Sequence, residues 1–181
     1  MTFTHRLAQR SDIGAISQLM AAASYELQKN FLTAEQLQAA TQFMGVDRTL
    51  IDDQTYFVIL HDEGRETEQL VGCGGWGKRE TLYGGSHSPG RSDKLLDPAR
   101  DRARIRAMYC HPDWARRGIG RMIMGICEGA ARKAGFSGMV MGATLAGQPL
   151  YEACGYTVIE RIFDVSPSGV KVPVLIMVKD F

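Results

Sequence analysis

Met108-Tyr109-Cys110-His111-Pro112-Asp113-Trp114-Ala115-Arg116-Arg117-Gly118-Ile119-Gly120-Arg121 is the stretch on which the reading of this chain turns. Its residues predict a buried strand, a proline-stopped turn, a short basic glycine loop and then a helix. The first N–H groups of a helix have no intrahelical partner, and its N-terminus carries about half a positive charge, so an anion is favoured there. Glycines at 118 and 120 let the backbone approach a ligand with no Cβ in the way. Arg116, Arg117 and Arg121 add charge that suits phosphate. A plain glycine turn with solvated arginines would use the same residues, and the surrounding chain decides between the two.

On the C-terminal side, Ile119, Ile123, Ile126, Cys127, Ala130 and Ala134 give the helix an apolar face. Gly135 is placed as its left-handed cap, with Phe136 to close it. Residues 139–143 form the next strand. Strand, helix, strand at this spacing is a crossover unit, hence two parallel neighbours. A short helix over 148–153 ends at Gly155, and strands over 157–165 and 170–178 close the chain as an antiparallel pair.

On the N-terminal side, 105–110 is the strand that leads into the loop. Residues 84–104 have little periodicity and many Gly, Ser, Pro and charged residues, so they read as a long mobile loop with one helical turn near 97–102. Strands over 55–61 and 70–79 form a hairpin, with the polar stretch 62–69 turning the chain. Gly72, Gly74, Gly75 and Gly77 mark a bulge or a close approach. The chain opens with a strand over 3–7. A helix follows that is capped near Ser11-Asp12 and carries Ile13, Ile16, Met20, Ala23 and Leu27. A second helix runs from a Thr33/Gln36 capping box to about Met44. These two helices are expected to cap one edge of the sheet.

The 181 residues suit one domain, 1–181, of ordinary composition, with 45% hydrophobic and 23% charged residues. A net charge of +1 argues against nucleic acid and against a membrane surface, so anion binding must be local. No apolar run reaches transmembrane length and the opening residues lack a leader's apolar core; with four scattered cysteines and no CxxC pair, the expectation is a cytoplasmic protein with reduced thiols and no metal site.

With Pro149-Leu150-Tyr151-Glu152-Ala153-Cys154-Gly155-Tyr156 following about thirty residues later, the 108–121 stretch resembles the GNAT superfamily of acetyl-CoA-dependent N-acetyltransferases. Gly118 and Gly120 match that family's Gln/Arg-x-x-Gly-x-Gly/Ala signature, with Ala115 where Gln or Arg is usual. Tyr151, Glu152, Gly155 and Tyr156 match its second element, with Ala146 where an Asn is often seen. The resemblance covers about 105–156. It implies an α/β (α+β) fold, a mixed six- to seven-stranded sheet with a central parallel pair and about four helices. It also implies acetyl-CoA as co-substrate and no metal.

Under that resemblance the amides of Arg116, Arg117, Gly118, Ile119, Gly120 and Arg121 hold the pyrophosphate. The strand Met108, Tyr109, Cys110 pairs with the pantetheine arm, and a backbone N–H near Met108 or Tyr109 polarises the thioester carbonyl. Tyr151 is the general acid. The acceptor is a small-molecule or peptide amine. Tyr25, Trp76, Glu80 and Tyr83 are candidates for its pocket, and Glu80, His111 and Glu26 are base candidates by residue type alone. Cys110 as a nucleophile would need a partner base.

A P-loop is disfavoured because Gly-Ile-Gly-Arg lacks the Gly-Lys-Ser/Thr ending, and a Rossmann site because position 123 is Ile. The rival that keeps the fold is a non-catalytic acyl-CoA sensor. The apolar strand 170–178 is available to serve a homodimer.

Overall fold

The computed structural model describes residues 2–61 and 68–181. Its strands are β1 (Phe3–Leu7), β2 (Tyr56–His61), β3 (Gln69–Gly77), β4 (Ala103–Cys110), β5 (Gly138–Ala143), β6 (Thr157–Val165) and β7 (Lys171–Asp180). Its helices are α1 (Ile13–Gln28), α2 (Ala34–Ala40), α3 (Arg48–Asp52), α4 (Ile119–Lys133) and α5 (Gln148–Ala153). The strands make one sheet in the order β1-β2-β3-β4-β5-β7-β6. Only β4 and β5 run parallel; the other neighbours are antiparallel. The expected turn over 62–69 lies mostly outside the described residues.

Two apolar layers hold the sheet, and the side-chain alternation of β2 feeds both. Tyr56, Val58 and Leu60 pack with Ile16, Leu19 and Met20 of α1, while Ile59 faces Ile119 and Ile123 of α4 on the other side. The β3 glycines explain how closely α4 sits. A Cβ at Gly72 would stand 2.6 Å from Ile119 Cγ2, and one at Gly74 would stand 2.6 Å from Ile123 Cγ2. The close approach expected there is made by the helix. Gly135 (φ +91°) ends α4, and the Phe136 N–H reaches back to the Ala131 carbonyl at 3.1 Å with its ring buried.

Several expectations need correction. The helix α2 keeps its capping box, with the Thr33 hydroxyl accepting from the Gln36 N–H, but it stops at Ala40. There the Gln42 and Phe43 N–H groups bond to carbonyls three residues back, tightening the chain into turns. The two helices do not cap an edge: α1 crosses β3 and β4, and α2 rests on β7. The extra helix α3 is too short to show a period; Asp47 caps it by accepting from the Thr49 N–H at 3.1 Å. The strand expected at 170–178 as a dimer surface is an interior strand, since β5 and β6 occupy both its edges.

The 84–104 segment is irregular, as expected, but it is tied down. Arg79 donates to the Asp93 carbonyl at 2.7 Å, Arg91 bridges Asp47 at 2.9 Å, and Ser92 and Lys94 both bond to Glu80. A single turn forms where the Asp101 N–H bonds to the Asp97 carbonyl at 2.7 Å. Arg106 of β4 is 3% exposed and donates to Asp47 at 2.7 Å and to the Thr81 and Gly84 carbonyls, which fastens the start of the segment to the strand.

Candidate active site

The site begins with one extra residue in β4. Gly75 pairs with Arg106 and Cys73 with Tyr109, so two steps along β3 match three along β4. Ala107 absorbs the excess with φ +48°, and the buried Tyr56 hydroxyl holds its carbonyl at 2.7 Å. Side-chain parity changes at this bulge. Ile105 faces the α4 layer, Ala107 and Tyr109 face the α1 layer, and Met108 and Cys110 face α4 again.

Beside the bulge the sheet parts. β4 and β5 pair only at Ala103 with Met139 and Arg104 with Val140; from there β5 pairs with β7 as far as Ala143 opposite Leu175. The edge of β4 that faces β5 therefore presents unpaired backbone from the bulge onward. A groove of about 820 Å³ opens at this point. Met108, Tyr109 and Cys110 line it, as do Arg116, Gly118, Ile119, Gly120 and Arg121, and Tyr151.

The start of α4 forms one end of the groove. Arg116 (φ +65°) and Gly118 (φ +89°) turn the chain, and the first helical bond runs from the Met122 N–H to the Gly118 carbonyl at 3.0 Å. The N–H groups of Ile119, Gly120 and Arg121 precede that bond and take no part in the helix ladder. A Cβ built on Gly118 meets nothing within 4 Å, so the space in front of the turn is open. At Gly120 the reason for glycine is packing, because a Cβ would stand 2.6 Å from Leu150 Cδ2 of α5. Such a cradle of open backbone donors, flanked by Arg116 and Arg121, fits a pyrophosphate. Arg117 points elsewhere, its guanidinium 4.8 Å above the buried Trp114 ring, which itself lies 4.3 Å from His61. Trp114 carried no periodic signal in the sequence, and it supports this turn from beneath.

Tyr151 projects from α5 across Gly147, where a Cβ would come within 2.5 Å of its ring. It is 9% exposed, and burial pushes its phenol up to about 12. Burial also lifts the Cys110 thiol to about 11. Of the four acceptor candidates only Tyr83 reaches the groove. Its ring lies against Gly142 of β5, and its hydroxyl donates to Asp164 of β6 at 2.8 Å. Trp76 is buried against Phe136 in the α4 layer, and Tyr25 is 59% exposed on α1 outside the groove. Glu80 lines a separate cavity, and its hydrogen bond from Lys94 holds its carboxyl below the usual range. Glu26 pairs with Lys29, and the His111 ring accepts from the Asp113 N–H. Asp164, Phe31, Phe43 and Met44 also line the groove and were missed. Their elements meet only in the folded chain.

A family model described as an acetyltransferase (GNAT) domain matches residues 52–158. No curated protein matches the sequence. Among solved structures, a GCN5-related N-acetyltransferase from Rhodopseudomonas palustris is similar at 17% identity and TM-score 0.70, covering 100% of this chain and 97% of that one. The PaiA N-acetyltransferase of Thermoplasma acidophilum, in complex with coenzyme A, is similar at 12% identity and TM-score 0.65, with both chains covered at 100%. The putative acetyltransferase yncA of Salmonella typhimurium, with its cofactor acetyl-CoA, is similar at 20% identity and TM-score 0.62, covering 99% of this chain and 94% of that one. At these identities the likeness is one of fold. The matched stretch spans the bulged strand, the open helix start and Tyr151, and on that match the chain belongs to the GNAT family of acetyltransferases.

Proposed function

We propose that residues 1–181 act as one domain that moves an acetyl group from acetyl-CoA directly to a primary amine, with Tyr151 as general acid. The observation that carries this reading is the parting of β4 from β5, which leaves β4 backbone unpaired along a groove running from the open start of α4 to Tyr151. The structures of the Thermoplasma and Salmonella proteins, recorded with coenzyme A and acetyl-CoA, support the same choice of donor.

Acetyl-CoA supplies the acetyl group as a thioester. The N–H groups of Ile119, Gly120 and Arg121 hold the pyrophosphate, and Arg116 and Arg121 add charge. The backbone of Met108, Tyr109 and Cys110 extends the sheet by pairing with the pantetheine amides. An N–H at Met108 or Tyr109, just past the bulge, stabilises charge on the carbonyl oxygen. The amine attacks in its neutral form; the new N–C bond forms as the C–S bond breaks. Tyr151 gives its proton to the departing sulfur and recovers one from the acylated nitrogen. A phenol near 12 stays protonated at neutral pH. Because it is a weaker acid than a free thiol at about 8.5, it releases its proton only as the C–S bond breaks.

Direct transfer is favoured over a cysteine relay, because burial holds the Cys110 thiol near 11 and it donates to the His111 carbonyl at 3.6 Å, with no side-chain base bonded to it among the described residues. An intact, buried Tyr151 favours a transferase over an acyl-CoA sensor. The test is Tyr151→Phe with acetyl-CoA and a panel of amines, read by thiol release. Loss of a general acid should lower kcat about 10²- to 10⁴-fold with the dissociation constant for acetyl-CoA unchanged. Unaltered kcat would remove Tyr151 from the chemistry, and tight binding without any thiol release by the wild type would favour the sensor.

A further inference from the structure

The groove is electrically polarised. Its charged lining residues, among those described, are Arg116 and Arg121 at the α4 end and Asp164 at the other. Between them the walls are largely apolar, with Leu27, Phe31, Phe43, Met44 and Val174. At the Asp164 end the groove meets a second cavity of about 470 Å³, and Phe43, Tyr83, Gly84 and Asp164 line both. That second cavity is also lined by Glu80, but its carboxylate is already paired with Lys94 at 2.7 Å, whereas Asp164 has no lysine or arginine ion pair among the described residues.

Asp164 is not placed to be the base for the reacting amine. It is in register with Val172 on β7, whereas Ala143, beside the parted strands, is in register with Leu175 three residues further on. That separation is on the order of 10 Å along the strand at about 3.3 Å per residue. The Tyr83 hydroxyl fixes one carboxylate oxygen at 2.8 Å, and the Tyr83 ring is seated on Gly142, where any Cβ would strike it. A carboxylate clamped in this way at the mouth of an apolar channel suits a fixed positive charge, while the apolar middle suits an amine that must be neutral to attack.

Resting on the transferase reading above, we propose that the acceptor is a diamine: one amine reaches the thioester in its neutral form through the apolar middle of the groove while the second, protonated at neutral pH, docks on the Asp164–Tyr83 pair. Asp164 is then a specificity residue, and Tyr83 is the positioning residue that orients it. The matching substrate class is an aliphatic chain with an amine at each end.

The test uses the full chain loaded with CoA, with 1,6-diaminohexane and hexylamine as probes, by titration calorimetry. The wild type should bind the diamine at least tenfold more tightly than the monoamine. Asp164→Asn should abolish that preference and leave hexylamine and CoA affinities unchanged. Tyr83→Phe should reduce the preference part-way. In acetyl transfer, Asp164→Asn should raise KM for the diamine tenfold or more with kcat within twofold. Equal binding of the two amines by the wild type, or an Asp164→Asn loss shared by both, overturns the proposal. A diamine preference in binding with neither amine acetylated would keep the docking site and sink the transferase reading. Equal acetylation and equal binding of both amines would do the reverse.

Discussion

Arginines gather on either side of the β4 bulge, one group against the strand and one in the turn that opens α4, and the two gatherings have opposite characters. Before the bulge, Arg106 is buried and meets Asp47, itself 2% exposed, which also receives Arg91 and caps α3. After the strand, Arg116 and Arg121 stand beside open backbone at the start of α4, and among the described residues Arg121 makes a single long hydrogen bond, to the Ala153 carbonyl at 3.5 Å. The first cluster has its partners built in: one buried carboxylate takes both guanidiniums, the Thr81, Gly84 and Gly85 carbonyls take further donors, and the result is order, joining the 84–91 stretch to the strand that carries the bulge. The second is left incomplete, with donors and positive charge held in place by a positive-φ turn. Burial with a built-in partner marks a charge that serves the fold, and exposure on a rigid turn marks one kept for a ligand.

The sharpest way to break this comparison is at Asp47. Asp47→Ala strands Arg106 in the interior and should cost about 3–5 kcal/mol in urea unfolding, whereas Arg116→Ala should change stability by less than about 0.5 kcal/mol. Equal losses would mean that the two clusters do the same job. A smaller effect sharpens the open end. Acetyl-CoA at about 100 times its dissociation constant should add about 2.7 kcal/mol to the wild type. Gly118→Trp, whose side chain enters the open space before the turn, should lose that increment while still unfolding cooperatively. A retained increment would move the pyrophosphate away from this loop.

The smallest effect concerns Asp53, whose carboxyl is held below its ordinary value first by the Arg79 hydrogen bond and then by Lys78. A depressed folded-state value means stability present above the unfolded value of about 3.9 and lost as pH falls through the folded one. Asp53→Asn should therefore cost about 0.5–1 kcal/mol at pH 7, with the gap to wild type closing in acid. A gap that persists in acid would assign the loss to packing of the 78–79 stretch.

Local signals carried most of the framework. Gly135 and Gly155 end their helices in the left-handed region, and α5 and β6 keep the bounds read from sequence. The loop and Tyr151 were legible because each sits inside a short motif. At the other end of the groove Tyr83 was named from the sequence but its partner Asp164 was not, because the two are 81 residues apart and meet only through the fold. The pairing of Arg106 with Asp47, 59 residues away, is of the same kind. Trp76 was misplaced because an aromatic on a glycine-rich strand looks the same whether it faces a pocket or the core. The interior position of β7 had a usable signal: Val172 to Val178 is a near-continuous apolar run, the mark of a strand covered on both faces. β6, by contrast, alternates and exposes Ile159, Phe163 and Val165.

That strand order has a consequence for refolding. Because β7 follows β6 in the chain yet lies between β5 and β6, a chain folded only through β6 offers β5 and β6 no shared edge. The far side of the groove, including Asp164, cannot form until residues 171–180 have entered the gap. An intermediate that lacks β7 would display an open strand edge beside exposed Phe163 and Val165, a template for chain-to-chain pairing. Docking of the 171–180 segment should thus govern the yield of refolded protein.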